Sequence, residues 1–164
     1  MAKRVAYCAM LSALAMVFGY VEALIPFSFG VPGMKLGIAN LVIVVSLHLL
    51  PTYQVFFIQL IRIVLISFLF GNMSMMMYSL AGGILSFLVM RFVKKTGIFS
   101  IIGVSICGGV SHNVGQLIMA VLAVQTIKLI YYFPMLLIGG LITGCLIGML
   151  AQRILERIKS CSIV

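Results

Sequence analysis

Glu22-Ala-Leu-Ile-Pro26-Phe-Ser-Phe-Gly-Val-Pro32-Gly-Met-Lys35-Leu-Gly-Ile-Ala-Asn40 interrupts an otherwise apolar chain. It carries two of the four prolines, Pro26 and Pro32, and two charges that lie away from the chain ends, Glu22 and Lys35. Proline fixes φ and offers no N–H, so a helix does not continue through such a stretch. An apolar run leads into it and another leads out, which reads as a structured connection at a membrane surface.

The composition agrees. Hydrophobic residues make up 64% of the 164 and charged residues 8%, against about 25% charged in soluble domains; the mean hydropathy is +1.32. The apolar runs are long enough for helices that cross a hydrocarbon core, for which about 20 residues suffice. A closed barrel of alternating strands of about 10 residues fits poorly. The fold class is therefore an all-α integral membrane protein built as a six-helix transmembrane bundle in a single domain over residues 1–164. Met-Ala-Lys-Arg before an apolar run resembles a signal peptide, but more membrane helix follows, so the first segment is expected to be a retained span.

The six spans are expected at about 5–25, 36–50, 53–70, 74–93, 98–124 and 130–153, with a lid-like outer loop at about 26–35. The second is short for a crossing. Breaks fall at Leu50-Pro51-Thr52, Gly71-Asn72, Lys94 to Gly97 and Gln125 to Lys128, where turn formers or charges interrupt the apolar pattern. With both termini inside, Lys3, Arg4, Arg91, Lys94, Lys95, Arg153, Arg157 and Lys159 lie on the cytoplasmic side, leaving only Lys35 and Lys128 outside. That asymmetry sets the orientation. It also accounts for most of the net charge of +9, so no nucleic-acid partner is implied. Cys8, Cys107, Cys145 and Cys161 form no C-x-x-C pair, and neither a disulfide framework nor a zinc site is expected.

Small residues recur four apart. Ala9 and Ala13, Ala15 and Gly19, and the ridge Gly140, Gly144 and Gly148 allow helix backbones to approach closely. Internal packing explains all of them; docking of a partner membrane protein is the functional reading, stronger for the first helix.

Polar residues inside spans are expensive and must face the interior. Arg62 sits mid-span with Gln59 one turn before it on the same face. It serves either an internal salt bridge or carbonyl clamp, or a ligand; the second is favoured because Glu22, the one acidic residue before Glu156, cannot neutralise both Lys35 and Arg62. His112, Asn113 and Gln116 form a polar stripe on the fifth span, with Gly115 leaving room beside them. A stripe of this kind facing Arg62 suits a binding site. Asn72, Ser74, Tyr78 and Ser79 open the fourth span among Met73, Met75, Met76 and Met77. Thioethers can hold Cu(I), but no Cys or His lies near, and a deformable pocket wall is the better reading. His48 and Gln54 are left to capping and interface hydrogen bonds.

Catalysis finds no apparatus. The chain contains no Asp and its two Glu are far apart, so paired carboxylates for acid/base work or for Mg²⁺ on a diphosphate are missing. No P-loop occurs, and Ser111 and His112 are adjacent on a helix and point apart. No catalytic residue, metal site or cofactor is assigned.

Glu22-x-x-Ile25-Pro26, Pro32-Gly33-x-Lys35-Leu36-Gly37-x-Ala39-Asn40, Tyr78-Ser79-Leu80-Ala81-Gly82-Gly83 and Ser111-His112-Asn113-x-Gly115-Gln116 together resemble the small bacterial family of Gx transporters, also labelled heptaprenyl diphosphate synthase component I. That family resembles the substrate-binding S components of energy-coupling factor (ECF) transporters. The resemblance implies six helices in the bacterial cell membrane with both termini cytoplasmic. It also implies a small-molecule ligand taken from outside, such as a vitamin, flavin or quinone or prenyl precursor, and a coupling subunit with ATPases that touches Ala9 and Ala13. A context in flavin-based electron transfer or menaquinone synthesis is the alternative, with the chain as a non-catalytic membrane anchor or subunit. The ligand set expected on these grounds is Glu22, Lys35, Asn40, Arg62, Asn72, Tyr78, His112, Asn113 and Gln116, in contact with a small anionic or amphipathic molecule and surrounded by membrane lipid.

Overall fold

The computed structural model describes residues 2–24 and 37–160, so the outer loop and Lys35 lie outside the described residues. All regular structure among them is helical: α1 (Ala2–Leu24), α2 (Asn40–Leu49), α3 (Thr52–Phe70), α4 (Met73–Thr96), α5 (Ile101–Val124), and a 3-10 turn (Ile127–Tyr132) that leads directly into α6 (Phe133–Ser160). Five stretches are long and apolar enough to cross a membrane: Val5–Leu24, Thr52–Phe70, Met73–Thr96, Ile101–Val124 and Ile127–Ser160. The chain thus has the make-up of a multi-pass membrane protein.

Within the expected second span, about 36–50, the helix is shorter than the span. Its helix α2 has 10 residues, about 15 Å at the α-helical rise, or roughly half a hydrocarbon core. Every residue from Asn40 to Leu47 is buried. A helix that is apolar on all sides belongs in an interior, and α2 packs against α1, α3, α5 and α6. Its ends are met by charged side chains from elsewhere. A Glu22 carboxylate oxygen accepts from the Gly37 N–H just ahead of α2, and the Lys94 ammonium donates to the Leu47 carbonyl near its end. A carboxylate before the N-terminus and an ammonium at the C-terminus both complement the helix dipole.

The other helices surround this core with apolar side chains outward. Phe68, Phe92 and Tyr131 are among the large exposed side chains, whereas Gln59, Arg62, Ser86, Ser105 and Gln116 are buried. Such an inverted distribution suits a lipid solvent. Gly19 of α1 lies on Ile66 and Tyr20 on Phe70, so α1 and α3 end at the same side of the bundle. Phe56 on Phe87, Ser86 Oγ donating to the Gly108 carbonyl at 2.8 Å, and Ser105 Oγ donating to the Gly144 carbonyl at 2.8 Å make α3, α4, α5 and α6 successively antiparallel.

Helix ends follow local chemistry. Asn72 caps α4 by accepting from the Met75 N–H at 2.8 Å, and Ser100 caps α5 by accepting from Gly103 N–H at 3.2 Å. α4 runs on past the expected end at Val93, because Lys94 and Lys95 sit in its last turn, where cations are favourable, and Gly97 closes it at φ 68°. α6 likewise extends beyond Arg153 to Ser160, with Gln152 donating to Glu156 one turn on.

The glycine ridge is internal. Cβ atoms added at Gly144 and Gly148 would stand 2.8 Å from Ile106 Cα and from Ile102 Cα, and one at Gly140 would stand 3.0 Å from Val110 Cα. The ridges of α5 and α6 therefore touch backbone to backbone at a four-residue repeat. Gly144→Leu is expected to lower unfolding stability by about 2 kcal/mol or more, since the obstacle is main chain and cannot rotate away. Gly139→Leu, where a Cβ meets nothing within 4 Å, is expected to stay within about 0.5 kcal/mol of the parent. Thermal unfolding of the two variants in one detergent checks the contrast.

Candidate ligand-binding site

The inward face of α3 reads Val55, Ile58, Gln59, Arg62, Ile63, Ile66 and Ser67. The apolar members pack against neighbouring helices, and the polar ones are carried into the same interior. Arg62 Nη2 donates to Gln59 Oε1 at 3.3 Å, while Arg62 Nε and Gln59 Nε2 have no hydrogen-bond partner. Arg62 is 8% exposed and Gln59 0%, so each unmet donor carries a desolvation cost of about 1–3 kcal/mol, more for a charged group.

Arg62 opens onto a cavity whose other walls are Gly19 and Glu22 of α1, Gly37 and Asn40 at the entry to α2, Ile63, Ile66 and Ser67 of α3, Ser79 of α4 and His112 of α5. Glu22 is 6% exposed and lies within electrostatic reach of the guanidinium. Gly37 adopts φ 79°, a conformation that suits glycine. That turn presents its N–H to Glu22. Asn40 Oδ1, Ser67 Oγ and Ser79 Oγ are buried without hydrogen-bond partners. The space open to water centres is about 20 Å³, enough for about one water, which makes about three hydrogen bonds. A ligand larger than that enters only if the walls move apart.

Asn40 and His112 also border a second, smaller space of about 10 Å³ toward α6, lined in addition by Ser105, Asn113 and Thr143. The two spaces share Gly37, Asn40 and His112, which places the start of α2 at the centre of one polar seam. Gly82 brings α4 against this seam: a Cβ there would stand 2.7 Å from the His112 carbonyl oxygen, 2.8 Å from Gln116 Cγ and 3.1 Å from His112 Nδ1.

Of the residues singled out by sequence, Glu22, Asn40, Arg62 and His112 meet at the first cavity. Asn113 lines the second and donates from Nδ2 to the Leu136 carbonyl at 2.9 Å. Gln116 is buried beside Gly82 with both amide atoms unpartnered, but is not a wall of either space. Asn72 is a correction: it is exposed, and its side-chain oxygen is committed to capping α4. Tyr78 is half-buried and borders neither space. The methionines from Met73 to Met77 are half-buried or exposed and form no wall of either space, because the inward stripe of α4 begins one turn later. Ser79, named with the polar residues that open the fourth span but left out of the ligand set, is a wall of the first cavity, as are Ser67, Gly19 and Gly37, which were not assigned to the site. A signal for Ser79 was present: Ser79, Gly82, Gly83 and Ser86 recur at helical spacing and form one small, weakly polar face.

A family model described as heptaprenyl diphosphate synthase component I matches residues 11–154. The chain belongs to that family. The match takes in Glu22, Arg62, Ser79, His112 and the whole polar seam, so the cavity lies within the part of the chain that defines this component I family. No curated protein and no solved structure matches the chain.

Glu22 and Arg62 are both buried and face one cavity, and removing one of two opposite buried charges leaves the other less compensated, whereas removing both is milder. Glu22→Gln and Arg62→Gln are therefore each expected to lower the unfolding midpoint, and the double variant to recover part of the loss. A double-mutant cycle from thermal unfolding should show coupling well above the roughly 0.5 kcal/mol of independent sites; additivity would separate the two charges.

Proposed function

We propose that this component I protein is a non-catalytic membrane subunit that binds a small polar molecule in the Arg62 cavity, in the manner of an S component of an ECF-type transporter. The observation that carries the reading is the set of buried, unpartnered polar atoms at one cavity: Arg62 Nε, Asn40 Oδ1, Ser67 Oγ and Ser79 Oγ. Interiors rarely leave such groups unmet, and convergent polar groups inside an apolar bundle are the usual mark of a ligand site. The chain has no Asp, which speaks against holding Mg²⁺ on a diphosphate and for a binding role.

In this reading the bundle crosses the membrane six times, with α2 belonging to one of the crossings. Lys94, Lys95, Arg153, Arg157 and Lys159 mark the cytoplasmic end, so the ligand enters from the α1 C-terminal side. Ala9 and Ala13 are exposed on α1 while Ala15 and Gly19 face inward, which leaves the first pair for a partner subunit.

A second reading has one observation in its favour. A wholly apolar groove of about 450 Å³ lies between α1, α2 and α6, walled by Tyr7, Leu11, Phe18, Leu41, Val45 and Ile154 among others. Together with the family description it suits a membrane anchor for a prenyl-synthesis or redox partner. Capture of the tagged full chain from native membranes, followed by extraction of small molecules, separates the two. A retained compound that Arg62→Ala loses, with an ATPase module among the captured proteins, supports binding and transport. A prenyl synthase or dehydrogenase with no retained compound supports the anchor.

A further inference from the structure

The Arg62 cavity has space for about one water, so a larger guest requires a wall to move, and the walls are not equally free. α4 and α5 touch backbone to backbone: a Cβ at Gly115 would stand 2.8 Å from the Ala81 carbonyl oxygen and from Gly82 Cα. α3 is fitted against α4 at Gly83, where a Cβ would stand 2.5 Å from Ile63 Cδ1 and 2.8 Å from Gln59 Nε2. Parting these helices would break the close packing that holds them together in lipid. α2 is buried from Asn40 to Leu47 and has no open side. That leaves α1, which contributes Gly19 and Glu22 to the wall.

The two flanks of α1 differ. Its contacts with α3 include Gly19 on Ile66 and Tyr20 on Phe70, where apolar surfaces can part without stranding a polar group. Its other flank borders the apolar groove of about 450 Å³, whose far side is walled by Ile154 and Ile158 of α6. At about 100° of turn per residue, the groove residues Tyr7, Leu11, Leu14 and Phe18 point within about 40° of one direction, and Tyr20 points to the opposite side. Gly19 and Glu22 fall between. A shift of α1 away from α3 is therefore a shift into the groove, and it uncovers the cavity. The groove is wholly apolar and lipid chains in it are fluid, so the C-terminal half of α1 exchanges one apolar contact for another as it moves. The contact of Glu22 with the Gly37 N–H is the latch at that end.

We propose that α1 is the gate of the Arg62 site: its C-terminal half moves into the groove toward α6 and opens the cavity along the seam between α1 and α3. This rests on the ligand-binding reading above and adds to it the route by which a guest enters. It also gives the groove a task, since whatever fills it holds the site shut.

The test reads opening without a known ligand. The full chain in lipid nanodiscs, with Cys8, Cys107, Cys145 and Cys161 replaced by alanine, carries Ser79→Cys as a reporter in the cavity wall. Methyl methanethiosulfonate is larger than a water and reaches that thiol only when the cavity opens; the mass of the intact chain gives the rate. Leu41→Trp and Val45→Phe, on the α2 wall of the groove, are each expected to slow labelling by about tenfold or more, because the open position of α1 becomes overpacked. Leu88→Trp, on the exposed face of α4, is expected to keep the parent rate. A loosened fold would speed labelling, so slowing separates a blocked gate from damage. An equal or faster rate in both groove variants overturns the gate, as does a reporter that reacts only in the unfolded chain. The ligand-binding reading is decided separately, by the retained compound of the preceding experiment.

Discussion

A helix of 10 residues buried on every side creates the problem that the rest of this fold answers. Its ends lie inside a bundle whose outside is apolar, where unmet backbone groups cost several kcal/mol each. The Asn40 and Leu41 N–H groups are met by the Gly37 and Ile38 carbonyls of the turn ahead, which leaves that turn and the last carbonyls to be satisfied from elsewhere. α2 receives a carboxylate at its entry through Gly37 and an ammonium at its exit through Leu47. Each comes from a different helix, Glu22 from α1 and Lys94 from α4, so satisfying α2 also fixes where those helices stand. The close α4–α5 and α5–α6 contacts, made possible by Gly82, Gly115, Gly140, Gly144 and Gly148, then wrap the remaining side of the core.

This arrangement has a functional consequence. Holding the start of α2 in mid-bundle brings Gly37 and Asn40 to the same place as Arg62, Ser79 and His112. Glu22 consequently has two tasks, closing the turn at Gly37 and facing the guanidinium. In the proposed reading, the ligand site and the folding clamp share one carboxylate, which would tie occupancy of the cavity to the position of α1. If the chain works with a partner along the exposed Ala9 and Ala13 face of that helix, this is a physical route by which ligand and partner would sense each other.

Much of this was legible in the residues. Apolar length and the placement of Lys and Arg read directly as a helical membrane protein, and the cost of burying Arg62, His112 and Gln116 in lipid required them to face inward. The four-residue glycine repeat announced close packing. What stayed hidden was long-range: Glu22 meets Gly37 across 15 positions and Lys94 meets Leu47 across 47, and no local pattern encodes either. The length of α2 was hidden for another reason. Residues from Leu36 to Ala39 are as apolar as the helix that follows, so hydropathy does not distinguish the turn made by Gly37 from one more turn of helix. Asn72 was misread because a polar residue at a helix start serves a cap as readily as a ligand, and its inward or outward face depends on a register that only packing decides.

The central claim is that the space between Glu22 and Arg62 is a ligand site and not a water-bridged ion pair. An electron cryo-microscopy map of the full chain taken from native membranes into nanodiscs, at a resolution that separates waters, tests it most directly. The account predicts connected density larger than a water, in contact with Arg62 Nε and with Ser67 and Ser79, reaching toward Glu22. Isolated waters joining Glu22 to Arg62, with no other density in the cavity, would contradict it.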